Sequence, residues 1–514
     1  MAMGRRRPVQ QPLFVRSDEL AGAPRHRFYE KLNELLDGAG FDAFVEELCA
    51  PFFAEDGKAG RTSTRPGTYF RMLFIGYFEG IESERGICWR VEDSLSLRSF
   101  LGIATHETTP DHSTLSRMRS RLSPEVYEKV FHYVMRVLNE QGLLRGRVAG
   151  VDSTYLRADA SMKSIVRRGS GEGYKSYLKK LAKKAGIENP TDEDARRIDR
   201  TREKKTSNEE WVSPTDADAE IARIKDGRTR LAYKAENTVD METGAILAAE
   251  VLPATTPDGE SVITSVETAN ENVAAARRDD DDDNNDSGAS VSTSAIQEVV
   301  GDKGFHKAST IKRLADEGVR TYFPERKQRG ERRWKKNGGR STAIAVYQNR
   351  KRLTSQKNKK LQRRRGELLE RTFAHLCETG GHRRTRLRGR ENVQKRYLMQ
   401  AAAFNLSLVM RKMIGHGTPR ALAAATVVAA EHGFALVAIA ISHLLLSLEA
   451  ILGNRSDDRA SRRLLPSRGS ELELTHSSTG CYRCLGQCLD VRVDLPPVGN
   501  RHPKVFGHLG QCVA

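Results

Sequence analysis

The sequence predicts an α/β fold: a mixed sheet with flanking helices, preceded by an all-α N-terminal domain. Apolar residues recur at helical spacing from Arg25 to about Leu144, with glycine and proline between the segments. From Arg147 onward, short β-rich apolar runs alternate with helical patterns, the order of an α/β domain. With 514 residues the chain can supply two or three domains, each with its own core.

Residues 1–24 carry Arg5, Arg6 and Arg7 but no apolar run, so they read as a disordered basic tail and not as a signal peptide. The helical domain spans 25–144. Phe28, Leu32, Leu35 and Leu36 share one helical face, as do Tyr69, Leu73 and Tyr77, and the pattern resumes after Val126. Pro51, Gly57, Pro66 and Pro110 punctuate it. Within it, Ser113 is the expected N-cap of a short helix from Thr114 to Leu122. Leu115, Met118 and Leu122 form its apolar face, while Arg117 and Arg121 project together from another. Such a helix suits a helix-turn-helix reader lying in a DNA groove. The alternative is a core helix with a solvated basic face.

The second domain is expected over 145–415. Val148 to Leu156 reads as its first buried strand, apolar up to Asp152. A basic helix follows at Tyr174 to Ala185, then strands at Thr229 to Asn237, Ala245 to Leu252 and Ala295 to Asp302. A helix from Lys307 to Glu317 and a strand from Arg320 to Phe323 complete the order. Residues 160–228, 277–294 and 326–365 read as insertions. The second holds the acidic run Asp279 to Asp283 and reads as a disordered loop; the third holds seventeen Lys or Arg against one acid, Glu331. Residues 416–514 read as a helical segment followed by a poorly ordered tail.

The formal charge of +18 favours a polyanionic partner, with DNA or RNA the commonest. A ribosomal or membrane-surface protein would confine its basic residues to the tails, which this chain does not. The seven cysteines form no disulfide framework: Cys49, Cys88 and Cys377 sit singly in apolar or helical patterns, as reduced thiols do. Cys481, Cys484, Cys488 and Cys512 lie near His502 and His508, but the second half of a zinc site is missing, and a disordered tail is preferred. The apolar stretch from Gly433 to Leu452 is interrupted by His443 and Glu449 and reads as a packing helix, not a membrane span. A cytoplasmic protein facing nucleic acid is the expectation.

Three acids stand out by position. Asp152 follows an apolar run at the end or middle of one strand, Asp302 ends another at Val299-Val300-Gly301-Asp302, and Gly304 permits a tight turn after it. Two carboxylates at buried strand ends repel unless a hard divalent cation joins them. Glu370 lies on a helix whose inward stripe is Leu369, Phe373 and Leu376. Three carboxylates suit a two-metal site for in-line phosphoryl transfer, and Mg²⁺ (or Mn²⁺), which accepts few protein ligands, suits so sparse a set. Asp159 reads as a turn or solvent residue, and Asp240 and Asp258 as turn formers. Two basic clusters accompany the acids: Arg333, Trp334 and Lys335, where the tryptophan either stacks on an unpaired base or anchors the loop, and Arg383, Arg384, Arg386 and Arg388.

Gly150-Val151-Asp152-Ser153-Thr154, Gly301-Asp302-Lys303-Gly304-Phe305 and Glu370-Arg371-Thr372-Phe373-Ala374-His375-Leu376 resemble the three acidic motifs of bacterial insertion-sequence DDE transposases. Arg388-Gly389-Arg390-Glu391-Asn392-Val393 and Ala401-Ala402-Ala403-Phe404-Asn405-Leu406 are similar to that family's closing helices, and Pro110-Asp111-His112-Ser113-Thr114-Leu115 to a segment of its helical domain. The resemblance covers roughly residues 25–420. It implies an RNase H-like catalytic domain with Asp152, Asp302 and Glu370 as metal ligands. It also implies double-stranded DNA as partner, both terminal inverted repeats and target; a homodimer is expected from the need to hold two ends. Counted from Glu370, the family's Tyr-Arg-Glu-Lys spacing falls on Arg363, Gly366 and Cys377. Glu367 is the alternative acid, and Glu370 is preferred for its Glu-Arg-Thr-Phe context.

The leading function is therefore a transposase that cleaves and joins DNA strands at element ends. The alternatives are a metal-dependent nuclease of RNase H-like fold and a non-catalytic DNA-binding protein, a decayed copy.

Overall fold

The computed structural model describes residues 26–53, 63–201, 207–224, 227–277, 296–326, 334, 339–427, 441–445 and 447. The basic tail, the acidic run Asp279 to Asp283, Arg333, Lys335, most of the apolar stretch after Gly433 and the four C-terminal cysteines lie outside the described residues. The chain divides after residue 431, and the elements below belong to the first unit, Met1–Glu431.

Among the described residues, seven helices come first. Helix α1 (Arg27–Gly38) buries Phe28, Tyr29, Leu32 and Leu36, one face at the spacing an amphipathic helix requires. Helix α2 (Phe41–Cys49) precedes α3 (Pro66–Phe78), which opens with proline at a position lacking an intrahelical acceptor and is buried from Gly67 to Phe78. That burial includes Arg71, which is paired with Asp37 at 2.7 Å and Asp42 at 2.9 Å. Helices α4 (Glu84–Glu92) and α5 (Leu95–Phe100) are capped by the hydroxyls of Ser83 and Ser94.

Helix α6 (His112–Arg121) departs from expectation at its start. Asp111, not Ser113, is the N-cap: its Oδ1 accepts from the Thr114 amide at 2.9 Å, while Ser113 lies inside the helix and donates to the same carboxylate at 2.8 Å. An ionised cap both satisfies the free amide and complements the helix dipole, which a hydroxyl does not. Leu115, Met118 and Leu122 are buried as expected. Helix α7 (Pro124–Glu140) closes the series.

The sheet is built around β1 (Val148–Arg157). After it come β2 (Val166–Arg167), helices α8 (Tyr174–Lys184) and α9 (Asp192–Thr201), β3 (Trp211–Val212) and β4 (Glu220–Arg223). The long strands β5 (Thr229–Asp240) and β6 (Ile246–Pro253) form a hairpin and lead into helix α10 (Asp258–Ala275). Then come β7 (Glu298–Val300), helix α11 (Ala308–Asp316) and β8 (Arg320–Tyr322). The β1 strand runs antiparallel to β5, with Asp152 opposite Asn237, and parallel to β7, with Gly150 opposite Val300. The order across the main sheet is β4-β5-β1-β7-β8; β4 pairs the first residues of β5 and β6 pairs the rest along the same edge. This is the mixed α/β arrangement that the sequence predicts, and β2 and β3 form a separate two-stranded sheet.

Helices α12 (Gly339–Leu353), α13 (Gln356–Ala374) and α14 (Arg390–Ile414) finish the unit. Both edges of the sheet are closed by side-chain amides, which removes the hazard of unpaired strand edges. On β6, Asn405 exchanges hydrogen bonds with both polar groups of Ile246, Gln394 does the same for Val251 N–H and Ala249 C=O, and Asn272 donates to Leu247 C=O. Beyond β8, Asn349 accepts from the Phe323 amide and donates to its carbonyl, and Gln362 donates to Tyr322 C=O at 2.9 Å. Residues 339–365, within the basic stretch read as an insertion, are thus α12 and the first half of α13, packed on the sheet. One apolar core joins Phe28, Tyr77 and Val134 to Ala149, Val239, Leu369 and Leu406.

Candidate active site

Asp152 sits in the middle strand, between Asn237 on β5 and the β7 side that leads to Asp302. The parallel register pairs Gly150 with Val300, so each acid lies two residues beyond a matched pair, on strands about 4.8 Å apart. Asp152 Oδ1 accepts from the following amide, Ser153 N, at 2.8 Å, and Asp302 Oδ1 accepts from Gly304 N at 2.6 Å. Asn237 is fully buried; its Oδ1 accepts from Tyr397 and its Nδ2 has no hydrogen-bond partner among the described residues.

Gly150 and Gly304 make this packing possible. A Cβ on Gly150 would stand 2.6 Å from Met241 Sδ and 3.0 Å from Leu369 Cδ1, so its absence lets α13 lie against β1. A Cβ on Gly304 would stand 2.5 Å from Asp258 Oδ2 and 2.8 Å from Asp302 Oδ1. Gly304 is not among the glycines with positive φ. It is required for the approach of two carboxylates, not for the backbone freedom that its place after Asp302 implies.

The side chain that α13 directs at Asp152 is Arg365, whose Nη1 lies 2.9 Å from Asp152 Oδ2. Glu370 is exposed, five residues further along and about 140° around the helix. Glu367, also exposed, pairs with Arg371 at 2.6 Å. Asp152, midway along β1, and Asp302, two residues past β7, offer hard carboxylate oxygens, the donor type Mg²⁺ takes. Among the described residues, no three His, Cys, Asp or Glu side chains are gathered closely enough to hold a metal ion. The two acids have the donor chemistry of such an ion, but Arg365 holds Asp152 Oδ2 and Glu370 does not join them in this arrangement.

Two family models match the chain: Transposase domain (DUF772) over residues 18–121, and Transposase DDE domain over residues 191–406. Together they span well over half of it, the first covering α1 to α6 and the second both Asp302 and Glu370. The chain belongs to the insertion-sequence DDE transposases. No curated protein and no solved structure matches it. The family acts on DNA, cleaving and transferring its strands, and that accounts for the basic excess of this transposase.

The sequence reading overlooked Lys234 and set Asp258 aside as a turn former. The transposase buries Lys234 almost completely, with Nζ 2.7 Å from Asp258 Oδ1 and 2.9 Å from Glu236 Oε2. Burial opposes the charge on Lys234, but Glu236 and Asp258 outweigh it and hold the ammonium above its usual pKa. Asp258 also accepts from Ser153 Oγ at 3.0 Å. Lys234 and Glu236 share the polar alternate positions of β5, two residues apart on one face, the signal from which their pairing was open to inference. By contrast Asp240 is the turn former expected of it, accepting from the amides of Arg145, Gly146 and Glu242.

Of the expected DNA contacts, Arg117 and Arg121 are exposed on α6 of the transposase; Arg117 bonds back to Ser113 and Arg121 lies over the Phe53 ring. Trp334 donates to Tyr347 Oη at 3.3 Å. The second cluster is tied to protein carboxylates: Arg384 and Arg388 to Asp159, Arg386 to Glu82 and Arg383 to Glu378. Asp159, at a bend just after β1, is therefore an ion-pair partner rather than a solvent residue. Beside Gly304 opens a cleft of about 580 Å³, lined in part by Arg223, Lys307, Arg326 and Asp258. Among the described residues no helix is long and apolar enough to cross a membrane.

Proposed function

We propose that this transposase cleaves and joins DNA at the ends of its element by two-metal phosphoryl transfer, with Asp152, Asp302 and Glu370 as the metal-binding carboxylates and Mg²⁺ (or Mn²⁺) as the ion. The observation that carries the reading is the pair Asp152 and Asp302, on neighbouring parallel strands of a chain that matches transposase families. When bound, two divalent ions activate the attacking oxygen and stabilise the leaving one. The protein's own part is orientation. The Ser153 and Gly304 amides each hold one carboxylate oxygen, Oδ1 of Asp152 and Oδ1 of Asp302. On this reading Arg365 releases Asp152 Oδ2 when the ions bind, and Glu370 has to reach the same pocket. The cleft beside Gly304 and Asp258, with Arg223, Lys307 and Arg326 in its lining, is proposed to take part of the DNA backbone. Arg117, Arg121, Trp334 with its neighbours Arg333 and Lys335, and the cluster Arg383, Arg384, Arg386 and Arg388 are proposed to hold the flanking duplex. Two ends must be held at once, so the working form is proposed to be a homodimer.

The test is an end-cleavage and strand-transfer assay with Mg²⁺. Asp152→Ala, Asp302→Ala and Glu370→Ala are each expected to lower both products by more than about 100-fold, beyond the loss from disturbing a group that only orients a ligand. Binding to the terminal repeat should persist. Cleavage without joining would indicate a nuclease. A second reading, a non-catalytic DNA-binding protein, is favoured by one observation: α13 aims a guanidinium at Asp152 where the first reading needs a carboxylate. It stands if the wild-type chain binds the repeat but yields neither product.

A further inference from the structure

A buried ion cluster lies on the face of the sheet away from α13. Side chains alternate along β1, so Asp152 meets α13 while Ser153 meets α10. Lys234 Nζ, 3% exposed, reaches four acceptors: Glu236 Oε2 at 2.9 Å, Asp258 Oδ1 at 2.7 Å, Ser261 Oγ at 3.0 Å and Thr256 C=O at 3.2 Å. Glu236, 1% exposed, is completed by the hydroxyls of Ser261 and Ser265 at 2.7 and 2.6 Å. A buried ion is retained only when paired and fully hydrogen-bonded, and this one is.

Asp258 is where the cluster meets the acids. Its Oδ1 takes the Ser153 hydroxyl, one residue after Asp152 on β1. Its Oδ2 lies in the space a side chain on Gly304 would fill, and Gly304 N is the donor that orients Asp302. One carboxylate therefore touches both segments that carry the expected metal ligands, and its position is fixed from behind by Lys234. Without that ammonium, Asp258 would stand beside Asp302 as an uncompensated like charge.

We propose that Lys234 and Asp258 are positioning residues: the buried pair clamps the strand behind Asp152 to the turn behind Asp302 and so sets the separation of the two carboxylates. The proposal rests on the reading of Asp152 and Asp302 given above. The clamp itself is a property of the metal-free fold and can be tested apart from that reading.

The full-length chain is compared with Asp258→Asn and Lys234→Met. Asp258→Asn keeps the volume and carries the test if Lys234→Met fails to fold. In metal-free protein, amide hydrogen exchange is expected to accelerate at least about 10-fold in residues 150–154 and 301–306, while α14 exchanges as in wild type. Mn²⁺ titration followed by electron paramagnetic resonance is expected to show affinity lowered about 10–100-fold with the same number of ions at saturation. Unchanged exchange in both segments overturns the clamp, as does acceleration throughout the sheet, which would mean general destabilisation. Loss of a bound ion at saturation also overturns it, because Asp258 would then be a ligand. If wild-type protein binds no Mn²⁺, the metal reading fails and the exchange result alone decides the clamp.

Discussion

Gly304 stands where two carboxylates come within reach of one backbone position, so a single methyl group tests how closely the site is packed. Gly304→Ala would press on Asp258 Oδ2 and Asp302 Oδ1, short side chains already held by Lys234 and by the Gly304 amide. We expect strand cleavage to fall at least about 10-fold while the Tm moves by less than about 3 °C, because the strain falls on the site and not on the core. An equal loss of both would contradict this. A second residue governs pH dependence. His382 is 4% exposed, and burial, with Arg396 beside it, pushes its pKa down to about 3. The folded state then binds fewer protons than the unfolded chain between about pH 6.5 and 3, so stability is lost as pH falls through that window. Within it the slope from this group approaches about 1.4 kcal/mol per pH unit, and urea unfolding of His382→Phe should show that part of the slope removed.

At the scale of elements, α14 is the piece that closes the sheet. Asn405 supplies the only partners that Ile246 N–H and C=O find among the described residues on that edge of β6. Asn405→Leu leaves two buried backbone groups unpaired, a cost of about 2–4 kcal/mol in the free energy of unfolding, measurable by urea titration. A change under about 0.5 kcal/mol would mean the β6 edge is not sealed by this amide. The family motif around Ala401 to Leu406 thus has a physical content: small residues allow α14 to approach the sheet, and one amide completes the ladder. Helix α6 carries a different test. If Arg117 and Arg121 face phosphates, removing either lowers the slope of log affinity against log salt by about 0.9. An unaltered slope assigns α6 to packing alone.

Across the whole molecule, the helical region and the sheet share one core and lie in one unit, Met1–Glu431. The tie is made by α14: Lys395, 3% exposed, donates to Arg119 and Leu122 carbonyls, and Arg396 donates to Ile81 C=O. Charges buried at that boundary would be exposed or orphaned if the two regions parted. We therefore expect one cooperative calorimetric transition for this unit rather than two, and poor solubility for residues 145–427 expressed alone. Two resolved transitions would show that the boundary is weaker than its buried ions imply.

What the residues alone determined was mostly local. Period-3.6 and period-2 patterns gave helices α1, α3, α6 and α7 and the strands β1, β5 and β6 to within a few residues, because those patterns record which face is buried. The motifs around Asp152 and Asp302 pointed to one chemistry because a carboxylate on or just past a buried strand is costly unless it is paired or holds a cation. Which groups meet is a matter of register and helix rotation, and these depend on packing between segments far apart in the chain. Only the fold paired Asp152 with Arg365 across 213 residues, set Asp258 rather than solvent beside Gly304, and turned Glu370 outward. Period fixes a face, but contact between faces is decided by the sum of the core.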